Sequence, residues 1–385
     1  MSLAFTREEY VSRLDALRAR MTETGHDAML LFAQESMFWL TGYDTFGFCF
    51  FQSMVVTHDG AIVLLTRSAD LRQAQITSVL DDIRVWEDRD GASPVLQLRD
   101  LLAELGLGGA RIGVEYDTHG MTGRIAIDIA TLMSDFARLE DASMVVQRLR
   151  AVKSPAEIAY VRRAAGLTDA AYEAALPLIK EGAREGEILA AMQGAVFAGD
   201  GDYPGNEFII GSGPEALLCR YQTGRRVLDR NDQLTLEWAG AFRRYHVAAM
   251  RTVIVGEPTG RHVALYEAAR AALAAVEECL VPGRTFGEVF EAHAREIDAR
   301  GEGAHRLNAC GYSLGARFAP SWMDWPMAYR ANPARIVPGM VIFTHMILMD
   351  SDSGAAMSLG QTYLTHEGRA ECLSKLPLDL PVKAG

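Results

Sequence analysis

Basic charge is what this chain most plainly lacks. Lys and Arg total 38 against 50 Asp and Glu, a formal charge of −12. A nucleic-acid binder needs a basic face to meet phosphate, and the short Arg225-Arg226 pair does not make one. Nucleic acid is therefore excluded as a partner, whereas an acidic surface favours cationic or zwitterionic small molecules. Cysteine is scarce. Cys49, Cys219, Cys279, Cys310 and Cys372 are odd in number and far apart, with no CxxC spacing, so neither a disulfide framework nor a thiolate zinc site is expected. No run approaches the roughly 18 apolar residues of a membrane span. The segment MSLAFTREEYVSRLDALRARM is charged and amphipathic and has no apolar signal core. The expectation is a soluble, cytoplasmic protein with reduced thiols and no membrane contact.

What is present is a globular profile, 49% hydrophobic and 23% charged over 385 residues, long enough for two cores. Tyr10, Leu14, Leu17 and Met21 recur at helical spacing within 6–25, and Ala28 to Ala33 reads as a buried strand. Ser53–Thr57 and Ala61–Leu65 flank His58-Asp59-Gly60, a hairpin turn. Helical stretches near 69–80, 93–105 and 119–134 alternate with strands at 83–86 and 111–115, predicting a small α/β domain. A helical segment from Val145 to Ile179 is interrupted at Ser154-Pro155-Ala156-Glu157, a serine cap with proline in the first turn and a glutamate placed for a capping box. The domains are expected at 1–150 and 151–385.

The second domain contains an echo. Residues 179–188 (IKEGAREGEI) align with 280–289 (LVPGRTFGEV), each a helix end, a glycine and a new helix start, 101 residues apart. That offset is too long for a solenoid repeat and suggests two similar halves, although chance also accounts for so few matches. Strands are expected at 208–210, 234–238, 247–255, 340–345 and 361–365, making this half α+β.

Three segments are over-specified for packing: Gly205 through Cys219, Arg220 and Tyr221; Glu237 through Arg251-Thr252; and Asn308 through Pro326. Alternation sends Leu234, Leu236 and Trp238 to one face of a strand, and Thr235 and Glu237 to the other. Glu237 then lies either on a solvated face or in a polar cleft, since burying it unpaired would be costly.

Val152-Lys153-Ser154-Pro155-Ala156-Glu157, Ser212-Gly213-Pro214, Arg251-Thr252, Pro338-Gly339-Met340 and Leu364-Thr365-His366-Glu367-Gly368 occur in an order that resembles the creatinase, prolidase and aminopeptidase P superfamily. The resemblance implies an α/β amino-terminal domain and a "pita-bread" domain of two α-α-β halves related by a pseudo-twofold. Metal-dependent members bind two ions through two aspartates, a histidine and two glutamates. Here those positions fall on Glu237, Ala248, Tyr312, His345, and Leu359 or Gln361, a set that offers too few donors for a dinuclear centre. No metal and no cofactor are expected. The creatinase histidine position is Arg220, and its glutamate positions are Met250 and His345, so creatinase activity is disfavoured as well.

Leu40–Asp44, Asn206–Pro214, Arg244-Tyr245-His246, Asn308–Gly315, Trp322-Met323-Asp324-Trp325-Pro326 and His345–Asp350 resemble the ectoine hydrolase branch of the superfamily. The resemblance implies a zwitterionic cyclic amidine as substrate and a homodimer. On this reading Glu237 pairs with the amidinium and attacks its carbon or activates water to do so. His345 or His246 shuttles the proton, and Tyr312 stabilises the intermediate. Arg220 clamps the carboxylate, and Tyr43, Phe46, Trp322, Asp324 and Trp325 line the site. The resemblance also implies that the stretch from Tyr43 to Phe48 reaches the partner subunit's site. Each of these residues also has a plain structural role open to it, as core aromatic or satisfied polar group. Two other readings remain: a related C–N hydrolase acting on another zwitterion and, from a different class, a non-catalytic binding protein on a scaffold that has lost its metals.

Overall fold

The computed structural model describes residues 3–220 and 224–385, so Tyr221 lies outside the described residues. The chain divides into two compact units, Met1–Arg150 and Ala151–Gly385. The first is built on a mixed sheet, β1 (Ala28–Leu31), β2 (Ser53–Thr57), β3 (Ile62–Arg67), β4 (Asp82–Trp86), β5 (Arg111–Val114) and β6 (Arg138–Asp141), in the order β4-β3-β2-β1-β5-β6. Its helices are α1 (Arg7–Thr24), α2 (Gln34–Thr41), α3 (Ser68–Thr77), α4 (Pro94–Glu104), α5 (Gly123–Leu132) and α6 (Met144–Leu149). The expected strands and helices form at or near the expected positions. Helix α2 and strand β6 come in addition.

The second unit opens with α7 (Pro155–Ala175). Its start is chemically fixed: the Ser154 hydroxyl accepts from the Glu157 N–H, and the Glu157 carboxylate accepts from the Ser154 N–H at 2.8 Å. Then follow α8 (Glu185–Ala198), β7 (Ile209–Ser212), β8 (Asp232–Phe242), β9 (Tyr245–Val255), α9 (Gly260–Cys279), α10 (Phe286–Asp298), β10 (Ala309–Ser313), β11 (Asp324–Tyr329), β12 (Val341–Asp350) and β13 (Ala355–Leu364). The main strand order, β11-β10-β12-β13-β9-β8-β7, is nearly symmetric about the β13/β9 junction. Each half contributes a helix pair and a long hairpin.

The sequence echo marks this symmetry. Gly182 and Gly283, at matching positions, both adopt positive φ, 78° and 88°. Arg184 and Thr285, again matching, each make an isolated antiparallel bridge, to Val227 and Arg335. This is the pita-bread arrangement, with an α/β domain before it.

The helices cover one face of the sheet. Trp238 of β8 stacks on Tyr172 of α7 with ring centroids 5.2 Å apart, and its indole N–H donates to the Thr168 carbonyl. Leu359, Met357 and Tyr363 of β13 join Leu265, Ala269 and Leu273 of α9 in one core. The opposite face of the sheet is left to carry the site. Among the described residues no helix is long and apolar enough to cross a membrane.

Candidate active site

The register across the sheet sets the positions. Ile209 pairs with Glu237, Glu237 with Met250, Met250 with Gly360, and Gly360 with His345. These five residues form one row on β7, β8, β9, β13 and β12, on the face away from the helices. Glu237 and His345 stand at equivalent places on either side of the pseudo-twofold. Between them lie Met250 and a glycine, so no further polar side chain enters the row.

Both residues line a pocket of about 190 Å³, together with Tyr312, Arg220, Cys219, Met323, Met327, Leu307, Ala309 and Ile347. Tyr312 comes from β10 opposite Phe343, and the rings of Tyr312, Phe343 and His345 lie 5.4–5.7 Å apart. The Tyr312 hydroxyl donates to Glu237 Oε1 at 3.4 Å and accepts from the Trp322 indole N–H at 2.9 Å. Arg220 stands exposed at the rim. The lining is therefore partly polar and partly apolar.

Burial sets the protonation states. It pushes the Glu237 carboxyl up to about 7, while the Arg220 charge and the Tyr312 hydrogen bond pull it down. Burial holds the His345 imidazole down at about 3, helped by His293 and the Arg220 charge, so His345 is neutral at neutral pH. Its Nδ1 is buried with no hydrogen-bond partner among the described residues. Burial and the Glu237 charge raise the Tyr312 phenol well above its ordinary value and keep it a proton donor. Burial and Glu237 also raise the Cys219 thiol, so it is a poor nucleophile.

Several expectations need correction. Glu237 is only 8% exposed, so the solvated-face reading fails, and Thr235 donates to the Ala216 carbonyl instead of lining the cleft. His246 is fully buried and outside the pocket lining. Its Nε2 accepts from the Gly205 N–H at 2.8 Å, which leaves the proton on Nδ1, 3.2 Å from the Gly315 carbonyl. A ring with both nitrogens held by backbone shuttles no proton. Trp322 stands behind Tyr312 rather than in the wall. Trp325 packs on the helix-side core, and buried Asp324 accepts from the Trp325 N–H and faces Arg317 at 3.8 Å. Tyr43 is fully buried in the amino-terminal unit, its hydroxyl donating to Gln52, whereas Phe46 is 79% exposed. Sequence reasoning held Cys219, Ala309, Met323 and Ile347 inside the segments it singled out without assigning them to the site, and it did not name Leu307 or Met327, which carry no chemical signal.

Residues 159–367 match metallopeptidase family M24, and residues 13–152 match the creatinase/prolidase N-terminal domain. The chain belongs to family M24. It is 28% identical to the ectoine hydrolase of Halomonas elongata over 407 residues, covering 100% of this chain and 99% of that one. It is 26% identical to an Xaa-Pro dipeptidase of Pyrococcus furiosus over 248 residues, 64% of this chain and 69% of the relative. The solved prolidase of Thermococcus sibiricus superposes with a TM-score of 0.86 at 18% identity, over 97% of this chain and 99% of that one, a likeness of fold.

The M24 name implies metal, and the donor set here does not fit it. Among the described residues no group of three or more His, Cys, Asp and Glu side chains is placed to hold an ion. On β9 the would-be ligand position is Ala248. On β13 the strand register turns Leu359 and Gln361 to the far face, leaving Gly360 in the row. A guanidinium at the rim adds positive charge where a metallopeptidase would need donors.

Proposed function

We propose that this M24 chain is a metal-independent hydrolase that opens the cyclic amidine ring of ectoine to an N-acetyl-2,4-diaminobutyrate. The observation that carries the reading is the pairing, in one small pocket, of a buried carboxylate, Glu237, with a guanidinium, Arg220. Ectoine is a zwitterion with an amidinium and a carboxylate, and these two groups match its two charges. The likeness to an ectoine hydrolase over the whole chain supports the same substrate.

A protonated amidine is already electrophilic, so its carbon needs no metal to polarise it. Glu237 supplies the oxygen nucleophile, directly or by taking a proton from water. The new C–O bond forms at the amidine carbon, and the C–N bond to one ring nitrogen breaks. A proton passes to the departing nitrogen through neutral His345, and one water is consumed overall. Tyr312 steadies the carboxylate before attack and the oxygen charge that develops after it. The apolar lining residues Met323, Met327 and Ile347 exclude water from the ring carbons.

The chain acts in the cytoplasm as a homodimer in which Phe46 reaches the partner's pocket. Its loop is fixed locally: Thr45 donates to Asp70 at 2.6 Å and accepts from the Gly47 N–H at 2.9 Å. Phe46→Ala then raises KM and leaves the fold intact.

The test is mass spectrometry of ectoine incubated with the purified protein, read as the gain of one water. Conversion by the wild type and none by Glu237→Gln is the expected result. Binding without conversion would favour the binding-protein reading, and conversion only of a different zwitterion would favour the related C–N hydrolase.

A further inference from the structure

We infer that Trp322 is a positioning residue: its indole N–H fixes the Tyr312 hydroxyl so that the single phenolic proton points at Glu237. This rests on Glu237 being the reacting carboxylate. An indole N–H only donates, so at 2.9 Å the Tyr312 oxygen must accept from it. The phenolic hydrogen is then left for the other neighbour within reach, Glu237 Oε1 at 3.4 Å. Accepting one hydrogen bond makes the hydroxyl a stronger donor in the next. Trp322 thus favours the ionised form of a carboxylate that it does not touch.

The main chain that carries the indole is itself held from behind. The Trp322 backbone N–H donates to Asn206 Oδ1 at 3.2 Å. Gly205 lies so close that a Cβ on it would stand 2.8 Å from the Trp322 nitrogen, so no other residue fits there. The Gly205 N–H is tied in turn to His246 Nε2 at 2.8 Å, and the His246 ring packs 6.5 Å from the Trp322 ring. The brace therefore runs from His246 through the Gly205-Asn206 turn to Trp322, Tyr312 and Glu237. It gives a purpose to a histidine that has no place in the pocket.

The groups facing Glu237 are Arg220 and Cys219 at the rim, Tyr312 from β10 and His345 from β12, while β7 and β9 offer only Ile209 and Met250 in register. Of these, Tyr312 is the one hydrogen-bonded to the carboxylate, and Trp322 acts through it.

The test is the titration of the Glu237 carboxyl, followed in substrate-free protein by infrared difference between each background and its Glu237→Gln counterpart. The backgrounds are wild type, Trp322→Phe, and Trp322 replaced by benzothienylalanine, which keeps the indole shape without the N–H. The titration is expected to move up by about half to one pH unit in both Trp322 variants. In a Tyr312→Phe background the same replacements are expected to move it no further. An unmoved midpoint, or an equal movement without the Tyr312 hydroxyl, overturns the inference. The benzothienylalanine protein settles the matter if Trp322→Phe does not fold. A midpoint that moves in a protein that does not convert ectoine leaves this inference standing and removes the proposed substrate instead.

Discussion

Glu237 and His345 occupy one row of the carboxy-terminal sheet, each two strands from its counterpart half, with Met250 and Gly360 between them. The pseudo-twofold that elsewhere duplicates structure here sets a carboxylate opposite an imidazole. One is pushed towards accepting a proton near neutrality and the other is kept uncharged. That division of roles underlies the predictions that follow.

Turnover should rise with pH through about 7, because Glu237 must be ionised to act and burial holds its carboxyl there. His345, held at about 3, contributes nothing to that limb. A pH profile of kcat/KM for wild type and His345→Gln checks this: the variant is expected to lose about 10²-fold or more in rate while the midpoint of the acid limb stays near 7.

Glu237→Gln should lower kcat by about 10³-fold or more and yet stabilise the protein in alkali. Below the ordinary carboxyl value of 4.5 the group is protonated in both folded and unfolded chains, and no difference arises. As pH rises the unfolded chain ionises first, so the penalty of burial grows and is complete above about 7, on the order of 3 kcal/mol. Urea midpoints of the two proteins should therefore converge near pH 4.5 and separate by pH 8, with the variant the more stable.

The histidines work in the opposite direction. Burial lowers His246 and His293 to about 4 and His345 to about 3, so the unfolded chain takes up protons first as pH falls below 6.5. Their contribution to stability is complete above 6.5 and is lost progressively towards 4 for His246 and His293, by on the order of 3 kcal/mol each, and towards 3 for His345, by on the order of 5 kcal/mol. His246→Gln supplies one acceptor for Gly205 and one donor for Gly315. It should flatten part of this acid loss in denaturant titrations while keeping most of kcat, an outcome incompatible with a proton-shuttling His246.

Arg220→Gln should raise KM for ectoine about tenfold or more and shift the acid limb upward, because the lost charge had been lowering the Glu237 carboxyl. Steady-state kinetics at several pH values separates the two effects.

How much was legible beforehand follows from the physics of each element. The start of α7 was readable because its signals are local: Ser154, Pro155 and Glu157 complete their cap within four residues. Helix α2 was not, because every one of its residues is buried and no polar face marks its period. Glu237 was correctly singled out, but alternation alone gives two faces and not what covers them. Here helices cover one face and the pocket lies on the other. Strands β10 and β11 were read as motif and not as structure, since Gly311 and Pro326 interrupt their alternation. His246 and Tyr43 looked catalytic or substrate-facing in sequence, and only their backbone and side-chain partners show otherwise.

The most direct test of metal-independent ectoine hydrolysis is proton NMR of the ring methyl in chelator-treated protein, with metal content measured in the same sample. The prediction is that the amidine methyl signal gives way to an acetamide signal at a rate chelation does not change. A rate abolished by chelator and restored by a divalent ion, or a methyl signal that never moves, would contradict it.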